Sequence, residues 1–138
     1  MGLFGTKNKI PEGIRVQFYE GSLPGFVSNY PCQILLQPST LRITKINPYV
    51  EVNLDKNRIT NIEIYIYENE YMSKYKGVNI TTTKCKSIPK HYYVINYIDK
   101  EGNAGHLDFW GTTSETPKVR QMQETVAALN QQPMNYNI

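Results

Sequence analysis

Alternation of apolar and polar residues dominates much of the chain and predicts strands. Successive side chains of a β-strand point to opposite faces of the sheet, so a strand with one buried face shows a period of two residues. Residues 59–67 show this best, because Ile62, Ile64 and Ile66 alternate with polar residues or tyrosines. Residues 92–98 instead form a dense apolar run, which is typical of a central strand. The segments predicted as strands are 14–19, 32–37, 41–46, 49–54, 59–67, 92–98 and 105–110.

The links between these segments are rich in residues that form turns. Asn47-Pro48 and residues 55–58 are short enough to join neighbouring antiparallel strands. Residues 99–103 predict a hairpin loop, because Gly102 and Asn103 tolerate positive φ. Two longer connections remain. One is a loop at 21–31, and the other is an irregular segment between the fifth and sixth strands, in which residues 71–75 predict a short helical turn.

One helix is predicted near the end of the chain. Thr116 fits an N-cap and Pro117 a first helical position, and the helix is expected to end near Asn130. Apolar residues at steps of three and four form a single stripe on this helix. Together with Trp110, we expect the stripe to close the strand assembly. The stripe consists of Val119, Met122, Val126 and Leu129.

Length and composition are those of one globular domain. The 138 residues include 40% hydrophobic and 20% charged residues, which argues against disorder. The 11 tyrosines favour strands, and two of the only three alanines, Ala127 and Ala128, lie in the predicted helix. The sequence therefore predicts a leader at 1–13, one mainly β domain at 14–130 and a tail at 131–138.

The order and spacing of these elements over residues 14–130 resemble those of a bacterial pleckstrin-homology-like domain. The most specific part is the hairpin at 92–110, which leads through Phe109-Trp110-Gly111 into the helix. The resemblance implies a split barrel of about seven antiparallel strands in two packed sheets, with the helix over one open end. A β-sandwich, or an open sheet with a packed helix, is the alternative.

No pattern in the sequence matches an enzyme or a metal site. His91 and His106 do not belong to a nucleophile motif, and glycine-rich phosphate loops and calcium-loop spacing are missing. Glu63, Glu68 and Glu70 come nearest to a carboxylate cluster, and we interpret them as solvated charges at a strand end. The sequence predicts a non-enzymatic protein with no cofactor and no metal.

Charge and cysteine content indicate the cellular compartment of the protein. A net charge of +3 is mild, and Cys32 and Cys85 show no metal-ligand spacing, so we expect two unpaired, buried thiols in a reducing compartment. No apolar run reaches the length of a transmembrane helix. These features predict a cytoplasmic location, with peripheral attachment to a membrane as an alternative. The composition, rich in Asn, Ile, Lys and Tyr, is typical of an AT-rich bacterial or phage coding sequence.

One basic segment is a candidate binding surface. Residues 71–98 contain no acidic side chain, and tyrosines are interleaved with the basic residues. Such a segment can attract the phosphates of a lipid headgroup or a nucleic acid. The competing interpretation is a solvated loop whose tyrosines belong to the strand behind it. The basic residues are Lys74, Lys76, Lys84, Lys86, Lys90 and His91.

The resemblance implies a scaffolding or oligomerisation unit, and exposed sheet edges suit strand addition. We therefore predict an interaction module that binds a protein or peptide, or a second copy of itself. One alternative is a binder of an anionic ligand through residues 71–98. Another is a structural or accessory component of a phage or mobile element. A small hydrolase is the least favoured hypothesis, and no small-molecule substrate is evident.

Overall fold

The computed structural model describes residues 9–77 and 89–130, which form a β-rich fold with one long helix. The prediction of a mainly β protein with a C-terminal helix is confirmed. The short helix α1 (Glu68–Tyr71) continues into a π turn (Met72–Lys76), and α2 (Thr116–Asn130) follows the last strand. The strands are β1 (Ile14–Glu20), β2 (Tyr30–Leu36), β3 (Thr40–Lys45), β4 (Val50–Asp55), β5 (Ile59–Tyr65), β6 (His91–Ile98) and β7 (Ala104–Gly111).

All seven strands belong to one antiparallel sheet in the order β4-β3-β2-β1-β7-β6-β5. Two packed sheets were expected, but β1 pairs with β2 through Val16↔Cys32 and with β7 through Phe18↔Phe109. It therefore joins the two halves into one hydrogen-bonded sheet. Among the described residues, the sheet is not closed, because β4 and β5 occupy its two edges.

A main core lies on one face of this sheet. It contains buried side chains from β1, β2, β3, β5, β6 and β7 together with three residues of α2, so the sheet folds around it. The helix contributes Val119, Met122 and Val126. Leu129 was expected to join them but is 40% exposed. It lies at the last turn of α2, whose packing partner is chiefly β5.

The loop between β1 and β2 packs onto the core. Leu23 and Phe26 are buried, and the ring of Phe26 meets that of Phe18 edge-on at 5.7 Å between centroids. Gly25 has φ of 79°, and a Cβ there would lie 3.3 Å from the side chain of Val50. This loop therefore acts as part of the hydrophobic core.

Two local predictions were wrong. Strand β5 ends at Tyr65, so Ile66 lies beyond it and is 43% exposed. Helix α2 already includes Thr116 as its first residue, so Thr116 is not the N-cap. Its hydroxyl donates to the carbonyl of Thr112 and contacts buried groups of β6. The carboxylate of Glu115 instead accepts the N–H of Thr112 at 2.7 Å and holds the turn before α2.

Several predictions fall outside the described residues. They concern most of the leader, the tail at 131–138, Lys84, Lys86 and Cys85. Cys32 is buried and its thiol is free. Within residues 9–77 and 89–130, no helix has the length and apolar composition that crossing a bilayer requires.

Candidate functional surfaces

Lys74, Lys76 and Lys90, the lysines of the basic segment that the structure describes, do not form one open surface. Lys74 lies 3.1 Å from the carboxylate of Glu63 and Lys76 forms an ion pair with Glu20, so acidic residues from other strands neutralise both. Lys90 lies over the ring of Trp110, 4.6 Å from its centroid. Both acidic partners lie outside the basic segment in the sequence, so the sequence did not reveal these ion pairs.

His91 is buried and does not belong to a surface for anions. Its Nδ1 lies 2.6 Å from the hydroxyl of Thr116, which also lies 2.8 Å from the phenol of Tyr93. These three side chains connect β6 to the start of α2. The prediction that His91 contributes to an anion-binding surface was wrong, because the helix covers this end of β6.

The second face of the sheet carries a tyrosine cluster, which the sequence did not predict. Tyr71 and Tyr92 stack with centroids 4.2 Å apart and an interplanar angle of 5°. Both are fully buried, so α1 and the π turn cover β6 from this side. Strand β6 is thus buried on both faces, as its apolar run suggested. The cluster comprises Tyr19, Tyr65, Tyr71, Met72, Tyr75, Tyr92, Val94 and Trp110.

Trp110 belongs to this tyrosine cluster rather than to the closure by α2. Leu107 and Phe109 of β7 face the main core, so the alternation of the strand turns Asp108 and Trp110 to the opposite face. The indole Nε1 of Trp110 donates to the side-chain oxygen of Asn29 at 2.9 Å. The expected role of Trp110 beside the helix was therefore wrong.

Carboxylates of the sheet pair with the phenols of the tyrosine cluster. Asp108 is 1% exposed, accepts a hydrogen bond from Tyr71 and lies 2.6 Å from Nδ1 of His106. Glu63 accepts from both Tyr65 and Tyr75. Polar groups that are buried in this way are stabilised only when hydrogen-bonded, and each phenol supplies a donor.

Two of the three glutamates at the end of β5 are not free solvated charges, whereas Glu70 is exposed as the sequence indicated. Glu63 is held by two phenols, and the carboxylate of Glu68 accepts the phenol of Tyr92 at 2.8 Å. Among the described residues, no group of three or more His, Cys, Asp or Glu side chains is arranged to hold a metal ion. These carboxylates bind the tyrosine cluster to the sheet instead.

The burial of the cluster changes its acid–base chemistry. Desolvation, reinforced by a hydrogen bond to Asp108, raises the pKa of Tyr71 well above its ordinary value. Desolvation likewise raises the pKa of Tyr65 to about 12. Burial also raises the pKa of the Glu63 carboxyl, but hydrogen bonds from Tyr75, Tyr65 and Lys74 outweigh it and hold that pKa below its usual range. The phenols therefore stay protonated and the carboxylate stays charged at neutral pH.

The imidazole of His106 is oriented as in a general base, but no nucleophilic side chain is described beside it. Its Nδ1 faces the buried Asp108, and its side chain is 39% exposed. Such a pair can orient an imidazole for proton transfer. The other contact described for the ring is with Tyr75, at 4.9 Å between centroids. No hydroxyl or thiol of Ser, Thr or Cys is among the hydrogen-bond partners described for His106. We therefore interpret the His106–Asp108 pair as a structural contact.

A groove of about 480 Å³ lies beside Trp110. The pairing of β1 with β7 ends at Gln17↔Trp110, and earlier residues of β1 pair with β2 alone, so the two strands diverge here. This Trp110 groove is lined by residues of β1, by Lys90 and by the turn that precedes α2. Its lining side chains include Arg15, Gln17, Lys90, Trp110, Thr112 and Glu115.

The edge of β4 is regular and open. Its pairing with β3 runs without a bulge from Thr40↔Asp55 to Lys45↔Val50. The N–H of Lys56 bonds the carbonyl of Ser39 and continues this ladder. Because ladder bonds alternate along an antiparallel strand, the even-numbered residues of β4 bond to β3. The backbone N–H and C=O groups of Glu51, Asn53 and Asp55 therefore point away from the sheet.

The opposite edge of the sheet differs, because helix α2 packs on β5. The side-chain amide of Gln123 donates to the carbonyl of Ile62 at 2.8 Å. No backbone group elsewhere in residues 9–77 and 89–130 bonds to the outer side of β4. In the described part of the chain, β4 is thus the more open of the two edges.

Comparisons of the chain with protein-family models, with curated proteins and with solved structures gave no match. The resemblance to a pleckstrin-homology-like domain therefore stays a prediction.

Proposed function

We propose that this protein is a non-enzymatic interaction module that binds a partner peptide as an additional strand along β4. The observation that carries the proposal is the regular outer edge of β4. Natural sheet edges are usually protected by charged side chains, especially lysine, by proline, by a bulge or by a covering segment. The sequence of β4, VEVNLD, contains neither lysine nor proline, and its pairing has no bulge. Its charged residues, Glu51 and Asp55, are both acidic, so they oppose an acidic strand but attract a basic one.

The side chains of β4 define the chemistry of the partner. Val50, Val52 and Leu54 are half-buried and pack at the margin of the main core, whereas Glu51 and Asn53 are exposed on the other face. Hydrogen bonds from Tyr49 and Asn53 hold the pKa of the Glu51 carboxyl below its usual range, so it is charged. A bound strand that alternates apolar residues with Lys or Arg would extend the core and face this carboxylate.

A second copy of the chain is less suitable than a basic peptide. An antiparallel pairing of two β4 strands centred on Asn53 would place Glu51 of each copy opposite Asp55 of the other. Like charges directly opposite each other destabilise a pair of strands. The alternative of an anionic ligand bound across residues 71–98 has less support, since carboxylates already engage Lys74 and Lys76.

The test is selection of peptides from a random twelve-residue display library on the wild-type protein, followed by affinity measurement with two variants. Asn53→Pro removes an N–H that points outward, so it blocks an added strand without breaking the ladder to β3. Asn53→Ala removes the same side-chain contacts but keeps the N–H. We expect selected peptides to alternate apolar and basic residues and to bind Asn53→Pro at least tenfold more weakly than Asn53→Ala.

Equal binding to the two variants would contradict strand addition, as would failure to enrich any peptide. Light scattering coupled to chromatography supplies the remaining comparison. A wild-type dimer that Asn53→Pro dissociates and Asn53→Ala preserves would identify a second copy, rather than a basic peptide, as the occupant.

A further inference from the structure

The Trp110 groove is separate from the β4 edge, since three strands lie between β4 and β7 in the sheet. Trp110 is held by its bond to Asn29 and by packing on the tyrosine cluster, so it forms a preformed apolar wall. Preformed pockets with an apolar wall and a few polar groups are the usual sites for small ligands.

The charges around this groove favour an anion. Arg15 and Lys90 both line it, and no ion pair within the described residues involves either side chain. Glu115 is the acidic residue of the lining. Its carboxylate already accepts two hydrogen bonds from Thr112, one from the backbone N–H at 2.7 Å and one from the side-chain hydroxyl at 2.9 Å. The two cations therefore remain available to a ligand, and cationic donors form strong hydrogen bonds with carboxylates and phosphates.

We propose that the Trp110 groove binds a small ligand that carries a carboxylate or phosphate group next to an apolar ring. Arg15 and Lys90 receive the anionic group, and the ring packs on the exposed part of Trp110. This proposal is independent of strand addition at β4, because it uses different residues and a different class of ligand.

Trp110 is the single tryptophan of the chain, so its fluorescence reports directly on the groove. The experiment titrates the wild-type protein with benzoate, with phenyl phosphate and with the neutral benzamide. We expect a saturable change with at least one of the two anions, with a Kd of about 1 mM as befits so small a ligand. Benzamide should bind at least tenfold more weakly, and the tighter anion identifies the class of ligand.

The double variant Arg15→Gln/Lys90→Gln should weaken binding of that anion at least tenfold. The matched control is Lys118→Gln/Arg120→Gln, which removes two exposed cations from α2, and it should bind like the wild type. The indole N–H resonance of Trp110, followed by NMR, confirms that the ligand contacts the groove rather than quenching by collision. Linear quenching without saturation would overturn the proposal. So would equal binding of benzamide, or unchanged affinity in a folded Arg15→Gln/Lys90→Gln variant.

Discussion

The phenol of Tyr71 donates a hydrogen bond to the buried carboxylate of Asp108, across 37 positions of the chain. This bond links α1 to β7 and holds the tyrosine cluster against the sheet. Asp108 has His106 as its second partner, at 2.6 Å. The covered second face of the sheet thus depends on a polar contact as well as on stacking.

Replacing Tyr71 by Phe is expected to destabilise the protein by about 1.5–3 kcal/mol, because a hydrogen bond to a buried charged group is lost while the ring is kept. Urea unfolding monitored by circular dichroism measures the change. Tyr67→Phe is the control, since Tyr67 is 60% exposed, and it should change stability by less than about 0.5 kcal/mol. Equal stability of the two variants would show that the bond to Asp108 contributes nothing.

Two residues of the apolar stripe on α2 provide a second matched pair of variants. Met122 is 5% exposed and belongs to the main core, whereas Leu129 is 40% exposed. Met122→Ala should cost about 2–5 kcal/mol, the usual range for truncation in a core. Leu129→Ala should cost well under half of that. If both variants unfold at the same urea concentration, the stripe does not close the core as described.

Alkaline pH should destabilise the fold. Desolvation raises the pKa of Tyr93 from 10.0 to about 12. Between these values the unfolded chain releases a phenolic proton that the folded protein retains. Each such group therefore lowers the free energy of unfolding by up to about 1.4 kcal/mol per pH unit as pH rises.

Urea midpoints measured between pH 9 and 12 test this dependence. Absorbance of tyrosinate at 295 nm should show the exposed tyrosines ionising first and the buried ones ionising together with unfolding. A stability that stays constant across this range would contradict the burial of Tyr93 in the main core and of the phenols in the tyrosine cluster.

Cys32 should be unreactive in the folded protein. Desolvation raises the pKa of its thiol to about 12, so the reactive thiolate is scarce at neutral pH. Iodoacetamide should label Cys32 only after denaturation, and mass spectrometry without reductant should then show labels on both Cys32 and Cys85. Rapid labelling of native Cys32 would contradict its burial, and a mass that indicates one closed bridge would contradict the prediction of two free thiols.

Local pattern was sufficient for much of the fold. Period-two alternation located β1 and β7, because the direction of a side chain in a strand depends only on its position. The turn at 99–103 and the helix that begins at Thr116 follow equally from neighbouring residues. Nothing in that pattern says what covers each face, which is why Trp110 was assigned to the wrong side.

The sequence by itself thus determined the strands, the helix and the mainly β class, since these follow from interactions between residues close in the chain. Tertiary structure alone decided that Lys74 and Lys76 meet Glu63 and Glu20, and that His91 lies beneath α2. Likewise, the position of a strand at the edge of a sheet depends on how all the strands pair, so the open side of β4 could not be inferred from its six residues. Each of these features depends on contacts between distant segments, and burial and charge compensation are properties of such contacts rather than of the segments themselves.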